Sequence, residues 1–451
     1  MQTSLPIALF SALCFLGVPS FGQTPDTQAP AAQTPVAQTP IAMDDKAKLR
    51  EIKDLSKRDS TAIPSLAKFL DDPSFEVRSD AVKAIVNIGT QHSLEPLIKA
   101  TRDRDPAIQV RATDGLVDFY VPGYVAKGMT STFTRTGRLV EGAFSSRNDQ
   151  VIDTFVVVRE DVLKAFGPVI ANSASFKARA NGALAAGILR DKLAVPELIG
   201  ALSSRNTSLV YQSLIALQKI HDPSAGPGVA LLAQDPEEKV QLVALETIGV
   251  LHYREAEPTL RQVLDRSRSI KVRRAALQAL SMLALSTDRP VFITYATDKD
   301  SQLRASSLEG LARLREPEDV PLLDRAFNEQ GVDARVRLAA AFGLVSEGKL
   351  ETSEFSALRY LVNGLNLTAQ SSTAEDYLTE LLLQPAVRQV VLPLVPQGTR
   401  DEKILLGQAL AQSGGPDVIP TLEALTKDPD SDVSASAAKS LRILRARLPS
   451  P

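Results

Sequence analysis

Three histidines, one cysteine and a large stock of carboxylates are the side chains in this 451-residue chain that could do chemistry. His221 and His252 stand 31 residues apart, a spacing that recurs along the chain and puts them at the same phase of neighbouring units. Stacked helices lie about 8–10 Å apart, whereas a metal takes its ligands at about 2 Å. The two rings therefore cannot share an ion without distortion, and each histidine, His92 included, is read as decorating a turn between units. Cys14 is the only thiol and falls in an apolar N-terminal stretch. No glycine-rich loop that would cradle phosphate is evident, and no two carboxylates stand out as an acid–base couple. The sequence thus offers no catalytic residue, no metal ligand set and no cofactor site. One stretch is strongly charged: Arg254, Arg261, Arg266, Arg268, Lys271, Arg273 and Arg274 against Glu255, Glu257 and Asp265. It could dock an anionic partner, with Arg268 and Arg274 as contact residues; a solvated turn explains it more cheaply.

The elements that must position these side chains follow a beat. Pro196, Pro227, Pro258, Pro290 and Pro321 succeed one another at intervals of 31, 31, 32 and 31 residues. About 14 residues into such a unit comes a second signal, usually an aliphatic or β-branched residue followed by Arg, and Val77-Arg78, Val110-Arg111, Ala178-Arg179, Val272-Arg273, Leu303-Arg304 and Val336-Arg337 fill that slot. A fixed period in the range of about 20–50 residues means stacked supersecondary units, none of which can bury its apolar face alone. Aromatics are 5% of the chain and Trp is absent, a composition suited to closely packed helices. A formal net charge of −2 argues against a nucleic-acid binder, which needs a basic excess to displace counterions.

Residues 62–89 illustrate one unit. Pro64 suits the first turn of a helix, where a missing N–H costs nothing, and Leu66, Phe69 and Leu70 recur at helical spacing. Asp71-Asp72-Pro73 stops that helix, because the residue before Pro is pushed out of the α region. A second helix carries Val77, Ala81, Ala84, Ile85 and Ile88 on one stripe, and Gly89 caps it. Asp72 and Arg78, Asp105 and Arg111, and Asp298 and Arg304 each stand six apart across the inter-helix turn. These arginines read as a ladder that ties turns together within or between units; a ligand-binding row is the alternative.

The Pro, Asp-Pro and Val-Arg positions resemble those of HEAT repeats, specifically the short HEAT-like type of phycobilisome lyase proteins, over most of residues 46–447. The resemblance implies an all-α fold, an α-solenoid of about ten two-helix repeats. Some relatives, the deoxyhypusine hydroxylases, carry a di-iron site on His-Glu dipeptides; here Ser93, Asp222 and Tyr253 follow the histidines, so those ligands have no counterpart. Residues 349–411 keep apolar periodicity but lose the Val-Arg slot. Residues 119–158 break the pattern altogether. Thr130, Thr132, Thr134 and Thr136 alternate with other residues, and Val156-Val157-Val158 forms a β-branched run, so an irregular insert with short strands is expected. It gathers six of the chain's 22 aromatics. Tyr120 and Tyr124 flank Pro122-Gly123, a turn that could hold them outward, and with Phe133 they are candidate contact residues for a protein partner. Packing of the insert onto its flanking repeats is the plainer alternative.

The first 22 residues read as a secretory signal. Leu5 to Val18 is a mostly apolar run of 14 residues, too short to span a bilayer, and Ser20-Phe21-Gly22 suits cleavage before Gln23. The segment lacks a basic start, the first Lys being Lys46, and Leu13 before Cys14 argues against lipidation. Residues 23–43, rich in Thr, Pro, Gln and Ala, read as a disordered linker, and 44–451 as the repeat solenoid. The expectation is an extracytoplasmic, periplasmic or secreted, scaffold or adaptor without chemistry of its own. It would bind another protein through a concave surface and the 119–158 insert, with no nucleic acid and no stable membrane insertion after cleavage. The alternative is a HEAT-like lyase- or hydroxylase-type enzyme or a maturation factor.

Overall fold

In the computed structural model the described residues are 44–125 and 150–448, so the signal segment, the linker and Phe133 lie outside them. Residues from Asp45 onward form one compact unit. Among the described residues there are helices and turns and no strand, and no helix is long and apolar enough to cross a membrane.

Most repeats open with a short 3-10 turn that runs into a first helix. Pro196, Pro227, Pro258, Pro290 and Pro321 all sit in the first turn of such helices, where their missing N–H has no partner to lose. The 31-residue beat is therefore the beat of helix starts. A polar turn follows, and the second helix begins on a capping side chain: Asp105 accepts from the Ala107 N–H, Asn206 from Leu209, and Asp300 from Gln302 and Leu303. The helix then ends on a residue in the left-handed region. Gly89 (φ +56°) does this as its sequence suggests, but Arg190, His221, His252, Ala284 and Arg315 adopt the same conformation without being glycine.

Successive second helices pack side by side: Phe176–Ile188 on Thr207–Ile220, Glu238–Val250 on Ile270–Leu283, and Ser301–Leu314 on Ala334–Ser346. Each also leans on its own first helix, so it is covered on three sides. That is why Ala334–Ser346 buries nearly every residue after Val336. Val272 and Leu280, eight apart on one stripe, are both buried. Close approach needs small side chains, and at Gly187 an added Cβ would come 2.7 Å from the Ala216 Cα on the next helix.

The insert departs from expectation. Its described flanks form turns, not strands: the Ile152 N–H donates to the Ile188 carbonyl at 2.9 Å, and the Val156 N–H to Asp153 at 3.0 Å. The Ile152 amide is satisfied on a helix end and the Val156 amide within the segment, with no strand partner among the described residues. The chain then re-enters the stack through the helices Glu160–Leu163 and Phe166–Asn172.

Candidate binding site

The ladder arginines are committed to holding repeats together. Arg78 gives Nε and Nη2 to the carboxylate of Asp103, in the next repeat's turn, at 2.8 and 3.2 Å. Its Nη1 donates to the carbonyls of Asp72 and Pro73. The aspartate six residues before the arginine thus contributes its backbone, while its own carboxylate faces Lys48 at 2.8 Å. Arg304 likewise bonds the Ala296 carbonyl and Glu329, and Arg111 reaches back to Ser79. A second rung joins first helices: Arg289 to Asp319 and Arg388 to Asp417. The ladder thus runs between units: Arg78 bonds Asp103 and Arg304 bonds Glu329, not the side chains of Asp72 and Asp298 six residues before them, while Arg111 bonds Ser79.

Of the candidate contact residues, Arg274 is such a rung, its Nε 3.0 Å from Asp300. Arg268 is exposed with no ion pair among the described residues. Within the same charged stretch Arg261 bonds Asp288, and Arg273 bonds the Leu264 carbonyl and Tyr295. Tyr120 is half-buried, edge-on to Phe119, and its hydroxyl accepts from the Arg159 N–H. The outward orientation expected of Tyr124 is overturned, for it is only 4% exposed. Buried Asp118 gathers the N–H groups of Gly123 and Val125 at 3.2 and 2.7 Å, folding the turn back over the helix end and carrying the ring into the core. His221 and His252 are left-handed helix caps, with His252 Nδ1 3.1 Å from the Met282 carbonyl. Among the described residues no three His, Cys, Asp or Glu side chains converge to hold a metal ion.

The most developed polar arrangement lies elsewhere, across four second helices: Ile270–Leu283, Ser301–Leu314, Ala334–Ser346 and Ser371–Leu381. At its centre Arg313 makes a two-pronged bond to Glu380, Nε to Oε1 at 3.0 Å and Nη2 to Oε2 at 2.9 Å. Nη1 lies 3.3 Å from Glu309 and from the Ser281 carbonyl. The guanidinium sits 5.4 Å above the Phe342 ring, which stacks on Tyr377 with centroids 4.7 Å apart. Glu309 is 7% exposed and accepts from the Tyr377 hydroxyl at 2.5 Å and from Gln278 at 2.7 Å. Burial opposes the charge on Arg313, but Glu309 and Glu380 outweigh it and hold the guanidinium protonated. Burial and then Glu309 push the Tyr377 phenol up, so it stays a neutral donor.

Beside this cluster a cleft of about 290 Å³ opens between the ends of the second helices. Phe342 and Leu381 form its apolar wall; Arg313, Arg315, Ser346, Glu380 and Gln384 bring polar groups to it. Arg315 is exposed and has no ion pair among the described residues, and the buried Gln384 Nε2 has no hydrogen-bond acceptor. An apolar wall with a few convergent donors is the usual make-up of a recognition site. Nothing in the sequence announces it, since Arg313 and Glu380 stand 67 residues apart. The one signal was the loss of the Val-Arg slot in the second helix Ser371–Leu381; Val387-Arg388, further along 349–411, keeps a rung to Asp417.

Comparison with known proteins agrees with the repeat architecture. A family model for HEAT repeats matches residues 42–122 and 226–291. The complex of CpcE and CpcF of phycocyanin lyase from Nostoc sp. PCC7120 is similar at 16% identity and a TM-score of 0.33, over 64% of this chain and 94% of that one. A structure from work on a phosphorylation switch in the cadherin–beta-catenin interaction aligns at 14% identity and a TM-score of 0.40, over 90% and 99%. An engineered protein aligns at 17% and 0.30, over 88% and 99%. No curated protein matches the sequence.

Proposed function

We propose that this HEAT-repeat protein is an extracytoplasmic scaffold or adaptor that binds another protein across the face made by its second helices. The observation that carries this reading is the cleft beside Arg313. It opens between the ends of those helices, offers a guanidinium with no ion pair among the described residues (Arg315) and an amide nitrogen without an acceptor (Gln384), and is backed by the Arg313 ionic network. Such a site can grip one side chain of a partner while the repeats on either side supply area. The export part rests on the apolar run Leu5–Val18 and on the small residues before Gln23.

The test is capture from the extracytoplasmic fraction, followed by binding of the purified partner to the wild-type chain and to an Arg315→Glu, Gln384→Ala variant. Loss of binding with an unchanged helical signal supports the reading. Equal binding by the variant removes the cleft from it, and recovery of the intact Met1 form from the cytoplasm removes export. Metal or a bound organic cofactor in the purified protein, detected by elemental analysis or absorbance, would favour the lyase- or hydroxylase-type alternative.

A further inference from the structure

One contact joins parts of the chain that repeat logic keeps apart. Asp153, from the insert that follows the second repeat, pairs with Lys439 on the final helix Ser431–Arg447, its Oδ1 2.8 Å from Nζ. Three residues earlier the Gln150 carbonyl accepts from Lys219 at 3.0 Å. Between them Ile152 is buried, and its N–H donates to the Ile188 carbonyl at 2.9 Å. Lys219, Ile188 and Lys439 all belong to second helices. Residues 150–153, outside any helix, therefore lie against the C-terminal ends of two second helices and against the final helix. A lysine grips the segment's backbone, an apolar residue is sunk in it, and a second lysine grips its carboxylate. A Gln150 Oε1 left without a donor in the buried part of this contact shows that the fit is incomplete.

We propose that residues 150–153 are a built-in occupant of the partner surface, and that the partner presents an extended segment in which an apolar residue is followed by a carboxylate. This rests on the scaffold reading above. Three features of the contact carry it: backbone capture that ignores sequence, one buried aliphatic side chain, and one charge-complementary lysine. That is the economy of extended-peptide recognition, in which main-chain bonds hold and side chains select. The charged end of the segment is the weak one, since Lys439 and Asp153 keep 58% and 31% of their side-chain exposure. An exposed pair of this kind is readily exchanged for an equivalent pair from outside.

The experiment uses the full chain and a fluorescein-labelled, acetylated peptide of the sequence Gln-Val-Ile-Asp-Thr-Phe, followed by fluorescence polarisation. Asp153→Lys weakens the resident segment and should tighten binding of the free peptide about fivefold, the equivalent of about 1 kcal/mol. Adding Lys439→Ala to that variant removes the lysine that would take the peptide's carboxylate and should abolish the gain. Should Asp153→Lys fail to fold, Asp153→Asn gives the same comparison without a charge reversal. Peptide affinity that is the same in the wild type and the Asp153 variant, or a gain that survives Lys439→Ala, overturns the proposal. Capture of a partner through the cleft would then still stand, because that assay does not involve the peptide.

Discussion

Asp191 is the best place to test whether the packing described here is right, because the structure asks a carboxylate to do without water. Its side chain is 0% exposed. Oδ1 caps the turn that follows, accepting from the Leu193 N–H at 2.9 Å, but Oδ2 has no hydrogen-bond partner. The nearby Glu197 also has a buried Oε2 without a partner. Burial is the main force and the Glu197 charge adds to it, against the Leu193 and Ala194 amides, so the Asp191 carboxyl is pushed from 3.8 up to about 7. A group held above its unfolded value binds its proton more tightly in the native state. Stability is then greatest near pH 4 and falls as pH rises from there to about 7, above which both states are ionised. At 1.36 kcal/mol per unit, the loss across that window is about 4 kcal/mol. Asp191→Asn keeps the oxygen that caps Leu193 and replaces the bare Oδ2 with a donor facing the Glu197 side. The variant should exceed the wild type by about 1 kcal/mol at pH 4.5 and by about 4 kcal/mol at pH 8.5. Urea unfolding gives the difference between the two proteins at each pH, which removes titrations common to both. Hydrogen exchange at the Asp191 amide, bonded to the Ala186 carbonyl at 2.8 Å, locates the effect in this repeat. A difference that does not change with pH, or a variant less stable at pH 8.5, would refute the reasoning.

Four substitutions test the repeat itself. Gly187→Ala should destabilise by about 1–3 kcal/mol, because the new Cβ meets backbone and not the tip of a flexible side chain; an unchanged thermal midpoint would contradict the helix spacing. Ala284→Gly should stabilise by about 0.5 kcal/mol, since Ala284 ends its helix at φ +47° and glycine adopts that conformation without strain; the denaturation midpoint reads it. Arg78→Lys should cost about 2 kcal/mol, because lysine keeps the charge but cannot bond Asp103 and the Asp72 carbonyl at once. Arg274→Lys, at a rung whose side chain is 34% exposed, should change stability by less than about 1 kcal/mol; equal losses at the two positions would undo the distinction between buried and exposed rungs.

What was legible in the sequence was whatever the chain repeats. The prolines marked helix starts because a missing N–H is tolerated only there, and Gly89 marked a left-handed end. The other left-handed ends were not legible: Arg190, His221, His252, Ala284 and Arg315 carry no type signal, only a common period. The 31-residue separation of His221 and His252 was thus noticed, while its cause, a shared cap position, needed the backbone. Register between repeats was also hidden. A six-residue spacing suggested that Asp72 faces Arg78, yet the nearest carboxylate in space is that of Asp103, because stacking brings the next turn closer than the chain's own. Composition misled at Tyr124, where an aromatic beside Pro-Gly reads as a displayed side chain until Asp118 is seen to pull the turn inward.

The Arg313 cluster shows why the repeat fails where it does. A buried ion pair is a poor source of net stability, since desolvation offsets most of the attraction, but it tolerates only one arrangement of its partners. Within 349–411 Val387-Arg388 keeps a rung to Asp417, but the second helix Ser371–Leu381 carries no arginine to fix how it meets the repeat before it. Arg313 supplies a substitute by reaching past the Ala334–Ser346 helix to Glu380, while Tyr377 and Gln278 lock Glu309 from either side. Register in this part is set by a network that spans four helices, where elsewhere it is set by nearest neighbours. Helix ends joined in that way need not meet flush, and it is between them that the cleft opens. The same loss of regularity that made this stretch look like weak repeat sequence leaves a shaped, charged recess on a surface otherwise built to be uniform.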